Sequence, residues 1–424
     1  MRKIENLEIF LYLIILTILT TIIRVTAGDY KTFTGSPLSH SLFLLIISTL
    51  FIFFFFKKYD YFILVWSSVY FAAPIIKVPG TEVGSLGILN LIFLPLMIWK
   101  IFDLKDKRFY LIPAIILLSL INLADVPARL IISGIFNSSA LPVFLLFVVK
   151  KCKNPELLIK GSIFIAIINL PLTFYEYTSL PDWGVMIDWR GIRVQGNLFH
   201  PNGYTLFLLP VILLTYAKLR ERLQISTTVI FIVFLVADLL TRSRIGLITL
   251  VATIGLFEII HEDRKHNRIK KILIAFAIAA TIIIFLQIRE EQSRISPEAM
   301  EDRTKIWEPI IPYIKSNLLI GNGVGSYEEH MESEFHGLGP HNLYLGILFE
   351  FGIIGLTLIL LFVWSVLKEF FKMKNSVWRT TGMALIIGIL IYSITESNAF
   401  NQVFALNTWI LLGALLLIKK MKRK

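Results

Sequence analysis

The triplet Pro340-His341-Asn342 stands directly ahead of the apolar run Leu343-Tyr344-Leu345-Gly346-Ile347-Leu348-Phe349-Glu350-Phe351-Gly352-Ile353-Ile354-Gly355-Leu356. An imidazole and an amide therefore sit where a polar segment meets a hydrophobic one, and an imidazole can take a hydroxyl proton at neutral pH. A second polar stretch, Asp238-Leu239-Leu240-Thr241-Arg242-Ser243-Arg244-Ile245-Gly246, joins two apolar runs with almost no connecting loop. Charge at that depth is costly and marks function by default, the alternative being side chains that snorkel to the headgroup layer. A guanidinium is a fixed planar fork that binds phosphate or carboxylate oxygens in pairs. Arg242, Arg244, Arg303 and His341 thus combine a proton acceptor with anion binding.

Further polar chemistry lies in two long loops. The first, from about Thr178 to Gly203, holds Asp182, Trp183, Asp188, Trp189, Arg190 and Arg193, then Gln195 to Gly203 leading into a helix. Its tryptophans suit a membrane interface or a sugar platform. The second, from about Arg289 to Pro340, contains Arg303 to Ile314, in which Ile306, Trp307, Ile310, Ile311 and Ile314 share one helical face. That face predicts a short helix lying on the membrane surface, bent or shortened by Pro309 and Pro312. Gly321-Asn322-Gly323-Val324-Gly325-Ser326-Tyr327 follows. No strand precedes it, so it reads as a turn whose backbone passes close to a ligand or returns toward His341, and a nucleotide loop is disfavoured. Glu328, Glu329, His330, Glu332, Glu334 and His336 carry metal-ligand chemistry at a spacing that matches no recognised site, and read as a solvated segment.

The elements that must position these groups are membrane helices. Of 424 residues, 56% are hydrophobic and only 17% charged, with a mean hydropathy of +0.72, which lies outside the range of soluble domains. About fourteen apolar runs recur, each long enough to cross roughly 30 Å of hydrocarbon. The first, about Leu7 to Ile23, reads as an uncleaved anchor. The single Cys152 excludes an intramolecular disulfide and a cysteine-based metal cluster. Lysine-rich loops, among them Lys57-Lys58, Lys150-Lys151-Lys153 and Lys419 to Lys424, alternate to one side, which the positive-inside rule makes cytoplasmic. Both termini are then cytoplasmic, and the net charge of +12 is topological instead of a nucleic-acid surface. The opposite face is poor in lysine but keeps Arg129, Arg190, Arg193, Arg242, Arg244, Arg289, Arg294 and Arg303, a set suited to a polyanion such as a diphosphate.

The expectation is an all-α polytopic membrane protein of about 12 to 14 transmembrane helices, with a long extracytoplasmic loop before the third-last helix. Its parts are N-terminal helices over 1–177, a first outer loop over 178–203, helices with the arginine hairpin over 204–288, the large outer loop over 289–340 and C-terminal helices over 341–424.

The Arg-Ser-Arg hairpin with Gly246, the Arg303 to Trp307 segment, the Gly-x-Gly-x-Gly turn and the run Pro-His-Asn-x-Tyr-Leu…Glu-x-Gly-x-x-Gly-Leu together resemble the bacterial O-antigen ligase and polymerase superfamily. The likeness covers about Gly191 to Leu356, including Arg193 to Asn202, and is specific in order as well as content. It implies transfer of a saccharide from a polyprenyl-diphosphate carrier to a hydroxyl of a glycolipid or glycan acceptor, such as lipid A-core, at the outer face of the bacterial cytoplasmic membrane. Neither nucleotide, metal nor other cofactor is implied. His341 then corresponds to the base or donor-positioning histidine, and Arg303 with Arg244 or Arg242 to the arginines on the diphosphate. Single attack would invert the anomeric centre. Arg193, Asn342, Trp307 and Tyr327 are candidate substrate contacts, with Asn342 also suited to orienting His341, and Tyr204, Trp183 and Trp189 are further sugar candidates. Ligase and polymerase share these motifs, and the ligase type is slightly favoured. A flippase for the same lipid-linked glycans is the competing class, and it calls for ionisable groups near mid-membrane and related halves. Asp238 and Glu396 instead fall near span ends, and no internal repeat is evident.

Overall fold

The structure is a computed structural model, and it describes residues 54–56, 58–72, 85–102, 107–119, 126, 128–179, 186–188, 191–196, 200–261, 306–335, 339–397 and 402–421. The first apolar run, Arg303 and the tryptophans Trp183 and Trp189 lie outside these residues. The described chain forms α1 (Tyr59–Ala72), α2 (Ser85–Ile101), α3 (Lys107–Ser119), α4 (Ala128–Lys151), α5 (Pro155–Ser179), a hairpin of β1 (Met186–Asp188) and β2 (Gly191–Arg193), then α6 (Pro201–Glu221), α7 (Ile225–Leu240) and α8 (Arg244–Ile260). After the second loop come α9 (Ile310–Ser316), α10 (Ser326–Phe335), α11 (Leu343–Phe371), α12 (Val377–Tyr392) and α13 (Gln402–Met421).

This is an all-α polytopic membrane architecture. Among the described residues three helices are long and apolar enough to cross a membrane, Pro155–Thr178, Pro201–Glu221 and Leu343–Phe371, and Ile225–Leu240, Val377–Tyr392 and Ala405–Ile418 are shorter apolar helices. The one departure from all-helix among the described residues is the antiparallel β1–β2 ladder, which pairs Met186 with Arg193 and Asp188 with Gly191. Its two-residue connection is the length at which such hairpins close.

Two helices are buried on every side. α6 packs against α5, α7, α8, α12 and α13, and α13 against α1, α4, α5 and α6. A helix that is apolar all round belongs in an interior, and the run from Tyr204 to Leu214 is buried without a break. α8 approaches α6 closely because residue 246 is glycine. A Cβ there would overlap the Thr205 side chain.

α11 is broken at Gly352 (φ 62°, ψ −166°), a conformation open essentially to glycine alone. Residues 317–323 fill the break. Ile353 N donates to Leu318 O (2.9 Å), Ile354 N to Leu319 O (3.1 Å), Asn322 N to Phe349 O (2.8 Å) and Gly323 N to Glu350 O (3.0 Å). The backbones meet so closely that a Cβ on Gly321 would overlap the Glu350 peptide and one on Gly352 the Leu319 carbonyl. Glu350 Oε1 then accepts from Gly325 N (2.9 Å) just ahead of α10, where an anion complements the helix dipole. The glycine-rich turn and the Glu-x-Gly motif are therefore two halves of one joint. Glu328 and Glu329, in the first turn of α10, are exposed and suit the same dipole.

The amphipathic segment differs from its sequence reading. Ile306, Ile310 and Ile314 do share a face, but they pack with Tyr327, Met331 and Phe349 of α10 and α11. An apolar stripe satisfies its need for burial on protein as well as on lipid, and here α10 and the first turns of α11 cover it. The side chains left uncovered are Ile311, Leu318, Leu319 and Ile320, near Ile353 and Ile354 of α11.

Candidate functional site

Three helices open at one place. α6 is capped by His200, whose Nδ1 accepts from Gly203 N (3.0 Å); α8 by Ser243, whose Oγ accepts from Gly246 N (3.1 Å); α11 by Asn342, whose Oδ1 accepts from Leu345 N (3.0 Å). Each cap satisfies an orphan amide in the first turn. The positive ends of three helix dipoles converge, which favours an anion.

Asn202 is the knot that holds these openings together. Its Oδ1 accepts from Arg193 Nη2 (3.0 Å) and Ser243 Oγ (2.8 Å), its Nδ2 donates to Glu396 Oε1 (2.7 Å), and its carbonyl accepts from Tyr392 OH (2.8 Å). Arg193 Nε also donates to Thr241 O (3.1 Å). Arg193, 2% exposed, braces β2, α6 and the arginine hairpin together. The segment after β2 is pinned beside it, with Gln195 N and Gly196 N both donating to Glu176 Oε2 of α5 (3.2 and 2.9 Å).

His341 lies at the rim of this knot. Its Nδ1 is 3.5 Å from Glu396 Oε2, with the imidazole side chain 24% exposed and the carboxylate 1%. Leu343 N donates to Ser393 O (3.0 Å) and Tyr344 OH to Leu390 O (2.8 Å), so the start of α11 is fixed to the end of α12. Trp307 Nε1 donates to Pro340 O (2.8 Å) and locks the residue before His341. Among the described residues, His341 (φ 45°) and Arg242 (φ 49°) are the non-glycine residues at positive φ. Such strain gathers at functional sites, where surrounding structure holds it in place. Both had been singled out on chemistry alone.

The remaining candidates divide by burial. Arg242 is exposed in the three-residue turn and Arg244 is half-buried as the first residue of α8. Tyr204 is fully buried against Thr173 (2.6 Å between hydroxyls), so it is a packing residue and not a sugar contact. Tyr327 is also buried. Its ring stacks edge-on to Phe349 inside the α9–α11 cluster, and burial pushes its hydroxyl up to about 12. Tyr327→Phe is therefore expected to leave turnover within about twofold of wild type, checked by initial rates, because a buried ring acts through its packed area. Trp307 serves as a tether to Pro340, and Asn342 spends its side-chain oxygen on the α11 cap, so the contact to His341 comes from Glu396. Glu396 and Asn202 were not read as partners in the sequence. The one signal was an acid at a span end, and its pairing exists only through packing.

His200 also faces this group. Burial lowers its tendency to charge, opposed by the Glu396 carboxylate and reinforced by His341 and Arg193. Among the described residues no set of three His, Cys, Asp or Glu side chains is placed to hold a metal ion.

Fold and site together define a polytopic helical membrane protein with an imidazole and arginines gathered where three helices open. Residues 228–360 match the Wzy_C family, described as O-antigen ligase. The match supports assignment to the O-antigen ligase superfamily and a function of ligase or polymerase type, and with the membrane helices it points to lipid-linked glycan substrates and an inner-membrane setting. Among curated proteins, none matches the chain. The matched segment holds the arginine hairpin, the α9–α10 unit and His341, while Arg193, Asn202 and Glu396 lie outside it.

Proposed function

We propose that the chain is an O-antigen ligase-type glycan transferase that moves a saccharide from an undecaprenyl-diphosphate carrier to a hydroxyl of lipid A-core or another surface acceptor. The observation that carries this reading is His341, held in a left-handed backbone at the opening of α11 and knotted through Glu396 and Asn202 to the Arg242–Arg244 turn. His341 removes the acceptor proton, and the leaving diphosphate is met by Arg244 or Arg242, by Arg303 and by the three helix openings. Arg303 precedes by a few positions the tryptophan bonded to Pro340. The displacement is a single inverting attack without metal or nucleotide. The site faces the extracytoplasmic side, both termini are cytoplasmic, and the loops and helix groups follow the boundaries set out from the sequence.

Against a flippase stands the position of the buried acids. Asp238 is in the last turn of α7 and Glu396 follows α12, whereas a transport pathway calls for ionisable groups near mid-membrane. Arg244→Ala is expected to cost roughly 100- to 1,000-fold in kcat, as for loss of one oxyanion donor. Rates with a polyprenyl-diphosphate donor check this, and a wild-type rate removes Arg244 from the reaction. A glycan gel from a host lacking the gene separates ligase from polymerase. A ligase leaves finished polymer on the carrier and none on the acceptor. Acceptor carrying single repeats only marks a polymerase.

A further inference from the structure

Two imidazoles face the Glu396 carboxylate, and their surroundings give them different duties. His200 Nδ1 accepts a backbone N–H from Gly203, so the lone pair of that nitrogen is occupied and the neutral ring carries its proton on Nε2. His341 presents Nδ1 to Glu396 Oε2 at 3.5 Å. An ionised carboxylate only accepts, so the nitrogen facing it is the one that carries the proton. The other carboxylate oxygen takes Asn202 Nδ2 at 2.7 Å, and Asn202 is itself held by Arg193 and Ser243. The carboxylate, 1% exposed, is thus fixed from behind with one oxygen set toward His341.

We infer that Glu396 is the positioning residue of the reaction: it holds His341 as the Nδ1–H tautomer, so that Nε2 carries the lone pair that takes the acceptor proton. His200 is excluded as the base because its proton is on Nε2. This rests on the transfer reading above. In the step itself, Nε2 takes the hydroxyl proton as the acceptor oxygen bonds to the anomeric carbon. The bond from that carbon to the carrier's diphosphate oxygen breaks, and its electron pair leaves with the diphosphate. Glu396 stays ionised beside the imidazolium, which then returns its Nε2 proton to water. A carboxylate that orients and steadies an imidazole without being protonated is a general solution to base catalysis.

The test uses the purified full-length protein with a polyprenyl-diphosphate-linked oligosaccharide and a hydroxyl acceptor. Glu396→Gln keeps the size of the side chain and an acceptor for Asn202 but removes the charge. Its kcat is expected to fall roughly 100-fold, the low end of the ordinary worth of a general base, with donor KM unchanged. Glu396→Asp, which restores the charge, is expected to give a kcat between the two. The double variant His341→Asn with Glu396→Gln is no slower than His341→Asn alone, since residues acting as a unit are not additive.

A wild-type kcat in Glu396→Gln, a change in KM alone, or a further loss in the double variant overturns the inference. Should the glutamine variant not be recovered folded, the aspartate variant decides. A reduced kcat with donor KM unchanged supports the role, and a full wild-type kcat overturns it. An inactive His341→Asn beside a wild-type Glu396→Gln sinks the positioning role and leaves glycan transfer standing, an active His341→Asn removes His341 from the chemistry and the positioning role with it, and absence of transfer by the wild-type protein sinks the transfer reading itself.

Discussion

His341→Asn is expected to lower glycan transfer by about 100- to 10,000-fold, the ordinary contribution of a positioned general base, with the protein still folded. Asparagine is the informative replacement. It tolerates the left-handed region better than alanine does, so the φ of 45° at this position is retained at little cost. The neighbouring anchors are also kept, since Trp307 bonds to the Pro340 carbonyl and Asn342 caps α11 through its own side chain. What is lost is a basic nitrogen. Turnover at saturating donor, together with a melting curve in detergent, measures both halves of the expectation. Wild-type turnover would remove His341 from the chemistry.

The second large effect is structural. Gly352→Ala places a Cβ against the Leu319 carbonyl at a backbone conformation that costs an L-residue about 1–3 kcal/mol even in open space. To relieve the overlap the 317–323 segment must withdraw, and four backbone hydrogen bonds across the α11 break go with it. The cluster of Ile306, Ile310, Ile314, Tyr327, Met331 and Phe349 loses its seat, and so does the Trp307 tether to Pro340. The expected outcome is a lower melting temperature, protease cleavage between 306 and 335, and a fall in turnover of at least about tenfold, because a small misplacement of a catalytic group is costly. An intact 306–335 unit with full activity would show that the joint does not position His341.

Much of this site was legible because polar residues stand out against a hydrophobic chain. The Pro-His-Asn triplet and the Arg-Ser-Arg turn announce themselves by being where lipid-facing sequence ought to continue, and both fall where helices open. The Gly-x-Gly-x-Gly turn was read correctly as a turn, yet its partner was hidden. Its glycines answer to Gly352 on another helix, and a sequence carries no mark of which backbone a glycine must let pass. Glu396 was hidden for a related reason. One acid near a span end has many possible partners, and only the packing of α12 against α6 and α11 brings it to Asn202 and His341. The face of Ile306, Ile310 and Ile314 was found by its period, but apolarity does not say whether lipid or protein will cover it. Arg193 illustrates the same limit in reverse, since a fork suited to phosphate is equally suited to a carbonyl and an amide.

The most direct test of the account is transfer by the purified protein in a bilayer, given only a polyprenyl-diphosphate-linked oligosaccharide and a hydroxyl acceptor, with chelator present and no nucleotide. The account predicts glycosylated acceptor and free polyprenyl diphosphate in equal amounts, with the linkage inverted. Movement of intact donor across the bilayer without any glycosylated acceptor would contradict it.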